Sequence, residues 1–303
     1  MSDTPKGLVA WVFPGQGSQR VGMGRELIAD PEIAALYNAA DAALGFPLTA
    51  TILDGPDEAL QQTPVQQPAI LLTSIAYFQA LRARALLPEA VLVAGHSLGE
   101  YAALVAAGAL AFADALQLVR RRGELMQEHG AGAMAAILGL PPAAVAEIAA
   151  EAGAEVANFN TPEQTTLSGR ADAVERAMTL AKARGAKRAL SLPVSAAFHS
   201  SLMAPVAEQM RPLIEQVAVR PAQPPLVTDV DARVVQEPEA LRQELIDQIC
   251  GSVRWVDVVS TLSRHGVTTF YEVGPGKVLA GLIGRCAPGA TVVSAEQMLA
   301  DAV

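Results

Sequence analysis

Cysteine and positive charge are both scarce in this sequence. The two cysteines, Cys250 and Cys286, lie far apart and form no CxxC or Cys/His pattern, which excludes a disulfide framework and a zinc site. Lys and Arg total 22 against 31 Asp and Glu, for a net charge of −9, which argues against a protein that coats nucleic acid or an anionic membrane. Low-complexity blocks are absent and 51% of the residues are hydrophobic, which excludes disordered, collagen-like and coiled-coil chains.

Membrane-length apolar runs, targeting signals and nucleotide-binding fingerprints are also missing. The longest uncharged apolar stretch, 101–113, is too short for a bilayer, and residues 1–5 lack the basic-then-apolar order of a signal peptide. Arg20 stands where a dinucleotide-binding loop beginning at Gly15 needs glycine, and no Gly-Lys-Ser/Thr P-loop occurs. We therefore expect a cytoplasmic protein with no membrane or nucleic-acid partner, no metal and no bound cofactor.

The 303 residues can form one large α/β domain or two ordinary ones. Apolar periodicity predicts alternating strands and helices up to residue 129. These elements are strand 8–13, a Gly/Gln/Ser-rich loop over 14–24, helices to about 44, helix 68–86, strand 90–94, a helix from about 100, and helix 113–129.

Beyond a break near Gly130 the pattern changes to the order βαββαβ, which is typical of a ferredoxin-like unit. Its predicted elements are strand 132–138, helix 142–152, strand 154–159, strand 164–168, helix 172–184 and strand 187–194. The α/β alternation then resumes with helix 201–216, strand 225–230, helix 238–249, helix 255–265, strand 268–273 and a last helix after Gly276. We predict a parallel-sheet core from 1–128 and 197–303, an inserted domain over 129–196, and a ligand cleft between them.

The strongest chemical signal is Gly95-His96-Ser97-Leu98-Gly99, which stands between an apolar strand and a helix. A sharp strand-turn-helix of this kind is a nucleophile elbow, in which the glycines let strand and helix cross closely and the serine takes a strained backbone conformation. The helix N-terminus places the Leu98 N–H beside any oxyanion formed at this turn. The pattern therefore predicts Ser97 as a nucleophile.

His199 is the favoured general base for this serine. It lies where the inserted unit returns the chain to the core, at the mouth of the predicted cleft. The other histidines have structural explanations: they are His96, which adjoins the serine and should point away from it, His129 in a Gly-rich loop, and His265 at a helix C-terminus. No carboxylate stands out as the third member of a catalytic triad.

Arg122 interrupts an otherwise apolar helix stripe formed by Ala115, Val119 and Met126. A buried guanidinium is costly without an anion, and a ligand carboxylate gripped bidentately can supply one. An arginine that reaches solvent or pairs with a distant Glu fits the same spacing. Helical geometry leaves both interpretations open.

The loop after the first strand carries a second candidate oxyanion donor. Gly15 and Gly17 let the backbone or the Gln16 amide approach a ligand closely.

Farther along, Asp229 and Asp231 alternate on a strand that ends in a turn, a pattern more typical of a solvated edge than of a metal site. We therefore expect these two acids to face water.

Five motifs, in this order along nearly the whole chain, resemble those of the malonyl-CoA:acyl-carrier-protein transacylases. They are Phe13-Pro14-Gly15-Gln16-Gly17-Ser18-Gln19, Gly95-His96-Ser97-Leu98-Gly99-Glu100-Tyr101, Arg122-Gly123, Ala197-Phe198-His199 and Glu272-Val273-Gly274-Pro275-Gly276. The resemblance implies an α/β-hydrolase-like parallel-sheet core with an inserted ferredoxin-like (βαββαβ) subdomain, in agreement with the order of elements above. One departure is the segment 251–255, which lacks the proline that the family usually has before the tryptophan.

The same resemblance assigns roles at the matching positions. It implies Ser97 as the nucleophile, His199 as the base and Arg122 as the clamp on the malonyl carboxylate. It implies that the Gln16 amide and the Leu98 N–H form the oxyanion hole, and that a backbone carbonyl at Gln248 orients the histidine. It also implies that Gln67 and Asn160 line the site, and that Phe198 is a cue for malonyl over methylmalonyl units. Orientation by carbonyls accounts for the missing triad acid.

The implied function is transfer of a malonyl group from malonyl-CoA to the phosphopantetheine thiol of an acyl carrier protein, through a malonyl-serine, for fatty acid biosynthesis. Malonyl-CoA is then the substrate, and the phosphopantetheine belongs to the partner protein. The alternatives are a freestanding acyltransferase that loads a polyketide synthase, a hydrolase that releases the acyl group to water, and a non-catalytic scaffold.

An acidic carrier protein needs a basic patch on a chain of net charge −9. Residues 129–196 contain six basic and six acidic side chains, so the whole negative excess lies in the predicted core. The residues that we expect to dock the carrier are Lys182, Arg184, Lys187 and Arg188. The alternative is that these residues form an ordinary solvated helix end and dock no partner.

Overall fold

The structure, a computed structural model, describes residues 7–129, 131–194 and 196–302. The strands in these ranges are β1 (Leu8–Phe13), β2 (Leu92–Gly95), β3 (Ala133–Leu138), β4 (Glu155–Thr161), β5 (Gln164–Gly169), β6 (Arg188–Ser191), β7 (Leu226–Val227), β8 (Val234–Val235), β9 (Val267–Glu272) and β10 (Thr291–Ser294). The α-helices are α1 (Pro31–Leu44), α2 (Leu48–Asp54), α3 (Asp57–Leu60), α4 (Thr63–Ala83), α5 (Gly99–Ala106), α6 (Phe112–His129), α7 (Pro142–Ala152), α8 (Ala171–Ala183), α9 (Ala204–Gln216), α10 (Pro238–Asp247), α11 (Trp255–Arg264), α12 (Val278–Cys286) and α13 (Ala295–Asp301). The predicted break at Gly130 lies outside the described residues. Within these three ranges, no helix is long and apolar enough to cross a membrane.

The larger sheet has six strands in the order β10-β9-β1-β2-β7-β8. Neighbouring strands run parallel except for the pair β7 and β8, which is antiparallel. Alternate residues of β1 enter two separate apolar clusters: Trp11 and Phe13 belong to one, Ala10 and Val12 to the other. Such a strand is buried on both faces, as expected when helices cover a parallel sheet. The predicted parallel-sheet core is confirmed.

The smaller sheet lies within residues 133–191 and is antiparallel, in the order β4-β5-β3-β6. Helices α7 and α8 pack on it around an apolar cluster that includes Ile137, Ile148 and Leu167. The chain order β3-α7-β4-β5-α8-β6 is the βαββαβ order of a ferredoxin-like unit. The domain boundaries at 128/129 and 196/197 stay a prediction.

Strand β4 attaches the smaller sheet to the segment that precedes α11. Ala157 O accepts the Val253 N–H at 2.8 Å, and the Phe159 N–H donates to Val253 O at 2.8 Å. Asn160, also in β4, reaches His96 at the end of β2, with 2.9 Å between its Oδ1 and the imidazole Nε2. The carboxyl edge of the larger sheet is therefore bordered by the smaller one.

Helix α4 begins at Thr63, so the predicted start at 68 was wrong. Pro68 lies inside the helix, where a proline removes the hydrogen bond to the carbonyl four residues back. That carbonyl, Pro64 O, accepts instead from Arg120 Nη1 at 2.9 Å. A tertiary partner that local sequence does not show thus compensates for the interior proline.

Several short elements were not predicted, namely α2, α3, β8, β10 and α13. Strand β7 is also shorter than the predicted strand 225–230. The chain turns immediately after it, and Thr228 N–H donates to Arg233 O at 2.9 Å. The turn places Asp229 at the carboxyl edge of the larger sheet.

Candidate active site

Ser97 lies in the turn between β2 and α5. Its φ is 51°, in the left-handed region that costs a non-glycine residue about 1–3 kcal/mol. The flanking glycines are required here, because a Cβ on Gly95 would lie 2.0 Å from the Gly99 carbonyl carbon and one on Gly99 would lie 2.0 Å from Phe13 O. The local sequence therefore builds a strained elbow in which strand and helix touch.

His199 faces this serine, with 2.7 Å between its Nε2 and Ser97 Oγ. Its Nδ1 lies 2.9 Å from Gln248 O and 3.0 Å from Gly251 O. Carbonyl oxygens only accept hydrogen bonds, so Nδ1 carries the proton and Nε2 is left to accept from the serine hydroxyl. Two backbone carbonyls thus fix the tautomer that a general base needs.

The surroundings of His199 keep it neutral. Burial, followed by the charge of Arg122 and the nearness of His96, lowers the pKa of His199 to about 3 against the opposing effect of the two carbonyl hydrogen bonds. A neutral imidazole is the form that can take a proton from a nucleophile. This form therefore prevails throughout the neutral pH range.

Arg122 is fully buried beside the serine. Its Nη2 lies 3.3 Å from Ser97 Oγ and 2.9 Å from Gln248 Oε1, and its Nη1 donates to Gln67 Oε1 at 3.0 Å. Its guanidinium carbon lies 5.9 Å from the centroid of the Tyr101 ring. All these partners are neutral groups. The alternative of an arginine that reaches solvent was wrong.

The positive charge of Arg122 has no ion-pair partner within the described ranges. Its Nε, moreover, has no hydrogen-bond acceptor there. Burial lowers the pKa of Arg122. A buried cation with an unused donor favours an anionic ligand along its Nε–Nη2 edge, next to Ser97.

Gln248 connects the base, the cation and the elbow. Its carbonyl oxygen accepts from His199, and its Oε1 accepts from Arg122. Its Nε2 donates to Ser97 O at 3.2 Å and to Glu100 Oε2. Because the residue is fully buried, these contacts hold the three groups in one arrangement.

One predicted oxyanion donor lies in the elbow, and the other lies in a loop that packs against it. A Cβ on Gly15 would lie 2.3 Å from His96 O, so the loop after β1 packs directly against the elbow. In that loop Gln16 Nε2 donates to Gln66 Oε1 at 2.5 Å. Leu98 is the N-cap of α5, and its N–H is among the first amides of a helix, which have no acceptor within the helix. The role of both donors stays a prediction.

Three other predicted residues surround this cluster. Gln67 contacts it through the arginine, and Asn160 through the hydrogen bond to His96. Asn160 lies within β4, so the predicted end of that strand at residue 159 was wrong. Phe198 is buried in the apolar core, and its part in acyl selection stays a prediction.

The remaining histidines contact groups other than the serine. The contacts are His96 Nε2 with Asn160 Oδ1, His129 Nε2 with Gln209 Nε2, and His265 Nδ1 with Thr261 O. Of the four imidazoles, His199 is the one in contact with the serine hydroxyl.

Asp229 is buried, so the expectation that it faces water was wrong. Its Oδ2 accepts the Ser97 N–H at 2.7 Å, and its side chain is fully inaccessible. Asp231 is exposed, as expected. The alternating pattern misled because β7 ends at Val227 and the chain then folds over the elbow.

Two more carboxyl groups that the sequence did not single out lie beside Asp229. Glu100 Oε1 accepts the Asp229 N–H at 3.2 Å, and Glu244 Oε1 accepts the Val230 N–H at 3.0 Å. Both side chains are buried. Three buried acids therefore lie together next to the turn that contains Ser97.

The four basic residues expected to dock a carrier are exposed on the smaller unit, which consists of the antiparallel sheet with α7 and α8. Two of them pair with acids: Arg184 with Glu151, and Lys187 with Glu163 at 3.2 Å between Nζ and Oε2. Lys182 and Arg188 form no ion pair in the part of the chain that the structure describes. The free charge of this surface is thus concentrated on these two residues.

Comparisons with known proteins give a consistent result. The model of the acyl transferase domain family matches residues 10–286. The chain is 44% identical over 286 residues to the malonyl CoA-acyl carrier protein transacylase of Bacillus subtilis (strain 168), covering 91% of this chain and 90% of that protein.

Solved structures agree with this match. The acyl-carrier-protein S-malonyltransferase of Burkholderia pseudomallei 1710b superposes with a TM-score of 0.93 at 44% identity, covering 97% of this chain and 99% of that one. A malonyl-transacylase in complex with a type II PKS acyl-carrier protein superposes with a TM-score of 0.91 at 39% identity, covering 95% of each chain. The α/β fold class predicted from the sequence is confirmed.

Proposed function

The chain belongs to the acyl transferase domain family, and on that premise we propose that it moves a malonyl group from malonyl-CoA to the phosphopantetheine thiol of an acyl carrier protein. One observation carries the proposal: Ser97 Oγ lies 2.7 Å from His199 Nε2 and 3.3 Å from Arg122 Nη2, in a buried cluster. A nucleophile, a base and an uncompensated cation suit a substrate with a thioester at one end and a carboxylate at the other.

In the first step, Ser97 Oγ attacks the thioester carbonyl of malonyl-CoA while its proton passes to His199 Nε2. The carbonyl oxygen becomes an oxyanion, and the Leu98 N–H and the Gln16 amide supply donors for it. The tetrahedral intermediate then collapses, the C–S bond breaks, and coenzyme A leaves as a thiol with the proton from His199. A malonyl ester on Ser97 and a neutral imidazole remain.

In the second step, the phosphopantetheine thiol of the carrier enters and gives its proton to His199. Its sulfur attacks the ester carbonyl, and Ser97 leaves with that proton. Because coenzyme A leaves before the carrier enters and the malonyl group waits on Ser97, we expect ping-pong kinetics. The phosphopantetheine arrives on the carrier, and the proposal assigns no role to a bound cofactor or metal.

Arg122 selects the acyl group in this scheme. Its Nε–H and one Nη2–H, which gives up its contact with Ser97 Oγ when the serine is acylated, lie along one edge of the guanidinium and donate to the two oxygens of the malonyl carboxylate. Binding that anion also relieves the cost of a buried, unpaired cation. An acetyl thioester has no carboxylate, so we expect it to gain nothing from this contact.

We assign the transfer to fatty acid biosynthesis. The similarity to a transacylase solved with a type II PKS acyl-carrier protein favours one second candidate, a chain that loads a polyketide synthase. The chemistry of the two is the same, and only the acceptor differs. Offering the malonyl-enzyme a fatty acid carrier and a polyketide carrier together, and measuring which is loaded faster, distinguishes them.

We further propose that an acidic carrier docks beside Lys182, Arg184, Lys187 and Arg188. All four side chains are exposed on the smaller unit, away from the negative excess of the core. Complementary charge mainly raises the rate of encounter, which suits a carrier that must come and go.

We also propose a cytoplasmic location. Both cysteines, Cys250 and Cys286, are free thiols. Thiols persist in a reducing compartment.

Intact-mass measurement after mixing with malonyl-CoA tests the proposed function. We expect the wild-type chain to gain the mass of one malonyl group and to lose it when carrier is added. Peptide mapping should locate that group on the peptide that contains Ser97. The Ser97→Ala variant is the matched control and gains none. A wild-type chain that stays unlabelled contradicts the proposal, and release of malonate in place of transfer identifies a hydrolase.

A further inference from the structure

Asp229 and the backbone of β1 hold the elbow from opposite sides. Strand β2 lies between β1 and β7. On the β1 side, Phe13 O accepts the His96 N–H at 3.0 Å. On the β7 side the strand ends at Val227, and the Asp229 carboxyl group accepts the Ser97 N–H at 2.7 Å. A side chain therefore completes the anchoring of the turn.

Both backbone polar groups of Ser97 are held in a closed ring of hydrogen bonds. Its N–H donates to Asp229, and its carbonyl accepts from Gln248 Nε2 at 3.2 Å and from the Glu100 N–H at 3.0 Å. The Glu100 carboxyl group accepts from both the Asp229 N–H and the Gln248 side chain. The ring surrounds the one strained residue of the elbow, whose φ is 51°.

The surroundings of Asp229 favour its neutral form. Burial, followed by the nearby Glu244, raises the pKa of Asp229 well above its usual range, although the Ser97 amide and Arg122 act in the other direction. Burial likewise raises the pKa of Glu100 well above its usual range and that of Glu244 to about 7. Asp229 Oδ1 has no hydrogen-bond partner among the described residues. An unpaired oxygen in the interior is far less costly on a neutral carboxyl group than on a carboxylate.

We propose that Asp229 is a positioning residue for the nucleophile: its carboxyl group, acting through the Ser97 amide, holds the left-handed turn that directs Oγ at His199. The inference rests on the proposed malonyl transfer. In this proposal the carboxyl group of Asp229 is neutral: its Oδ2 accepts the Ser97 N–H, and it adds no negative charge near the oxyanion.

The position of Asp229 separates its effect on rate from any effect on binding. The residue bonds to the backbone of Ser97 and to none of the groups assigned to the substrate. The malonyl carboxylate is assigned to Arg122, so losing the Asp229 anchor leaves that contact in place. We therefore expect slower attack on the thioester with nearly unchanged affinity for malonyl-CoA.

Three variants test this inference. Asp229→Asn keeps an oxygen that accepts the Ser97 amide and is neutral like a protonated carboxyl group. Asp229→Ala removes the acceptor. Asp231→Ala is the matched control, because it removes an exposed carboxylate from the same turn, one that accepts from Thr228 Oγ1 at 2.7 Å and has no contact with Ser97.

Rapid-quench measurement of malonyl-Ser97 formation gives the maximal acylation rate and the half-saturating malonyl-CoA concentration separately. For Asp229→Ala we expect a maximal rate lower by about 100-fold, as for a small misplacement of a reacting atom. Its half-saturating concentration should stay within about threefold of wild type. The D229N and D231A variants should stay within about threefold of wild type in both quantities.

Several results overturn the inference: a D229A variant as fast as wild type, a D229N variant as slow as D229A, or a D231A variant as slow as D229A. Should D229A not fold, hydrogen exchange of the wild-type Ser97 amide gives the answer, because the inference requires protection and exchange at the rate of a surface loop contradicts it. A wild-type chain that is not acylated refutes the proposed function. Normal acylation of wild type and D229A together refutes only the role of Asp229.

Discussion

The two sheets contribute different things to the site. In the parallel-sheet core, Ser97 follows β2 at the carboxyl edge of the sheet, and Ser97, His199 and Arg122 are all buried and held by backbone or amide groups. The antiparallel unit reaches the elbow through Asn160 and presents six exposed basic side chains, four of which pair with acids. Chemistry needs groups fixed to a fraction of an ångström, whereas encounter with a charged partner tolerates mobile side chains.

This contrast predicts two kinds of failure. Substitutions at the carboxyl edge of the parallel sheet should change the rate of acyl transfer or the choice of acyl group. Substitutions on the antiparallel unit should change the apparent affinity for the carrier and leave acylation by malonyl-CoA intact.

The largest effect is expected from His199→Ala. Removing the base should slow malonyl-Ser97 formation by about 10⁴-fold, the upper end for loss of general acid–base catalysis. Single-turnover acylation measures it directly. His129→Ala is the matched control, since that imidazole contacts Gln209. A loss of less than about tenfold for H199A would place the base elsewhere.

Arg122→Ala should come next. We expect kcat/KM for malonyl-CoA to fall by a factor that corresponds to about 2–5 kcal/mol of lost transition-state stabilisation, the range for truncating one partner of a buried charge pair. Activity with acetyl-CoA should be spared because that thioester has no carboxylate. Arg121→Ala, on the exposed side of the same helix, is the control. Equal losses with both thioesters refute the clamp.

Charge reversal on the antiparallel unit should have a smaller effect. We expect the double variant Lys182→Glu, Arg188→Glu to raise the KM for an acidic carrier by about tenfold at low salt and to leave malonyl-Ser97 formation unchanged. Arg170→Glu is the control, because this residue lies on the same unit but already pairs with Asp172 at 2.9 Å. An unchanged carrier KM rejects docking at this surface.

The smallest effect concerns pH. Because burial lowers the pKa of His199 to about 3, the base stays deprotonated as pH falls, and kcat/KM for acylation should show no acid limb near the ordinary histidine value of about 6.5. In the unfolded chain this histidine does bind a proton below that value, so it lowers the stability of the fold as pH falls. An acid limb at the ordinary value that persists when His96, His129 and His265 are each replaced contradicts the buried neutral base.

What could be predicted from sequence was local. The elbow follows from two glycines and a serine between an apolar strand and a helix, and strand β1 was predicted with its observed bounds. Arg122 was half predictable: helix spacing showed a cation on an apolar stripe, but whether it met solvent or a ligand depended on Gln67 and Gln248, which the fold brings to it from α4 and from the end of α10.

Other parts of the site carried no local signal. Asp229 meets Ser97 only because β7 lies next to β2, and a two-residue strand gives little periodicity from which to read that order. Gly251 contributes a carbonyl oxygen, a group that every residue has, so its side chain could not mark it. Once the strand order is known, an acidic residue immediately after the strand that neighbours the elbow strand is the signal for an anchor of this kind.

The central claim is that Ser97 carries the malonyl ester while Arg122 neutralises its far end. A crystal structure of the wild-type protein, frozen after brief exposure to malonyl-CoA, measures this directly. We expect continuous density from Ser97 Oγ to a malonyl group whose carboxylate accepts from Arg122 Nε and Nη2. Malonyl on another residue, or a carboxylate turned away from Arg122 toward solvent, would contradict it.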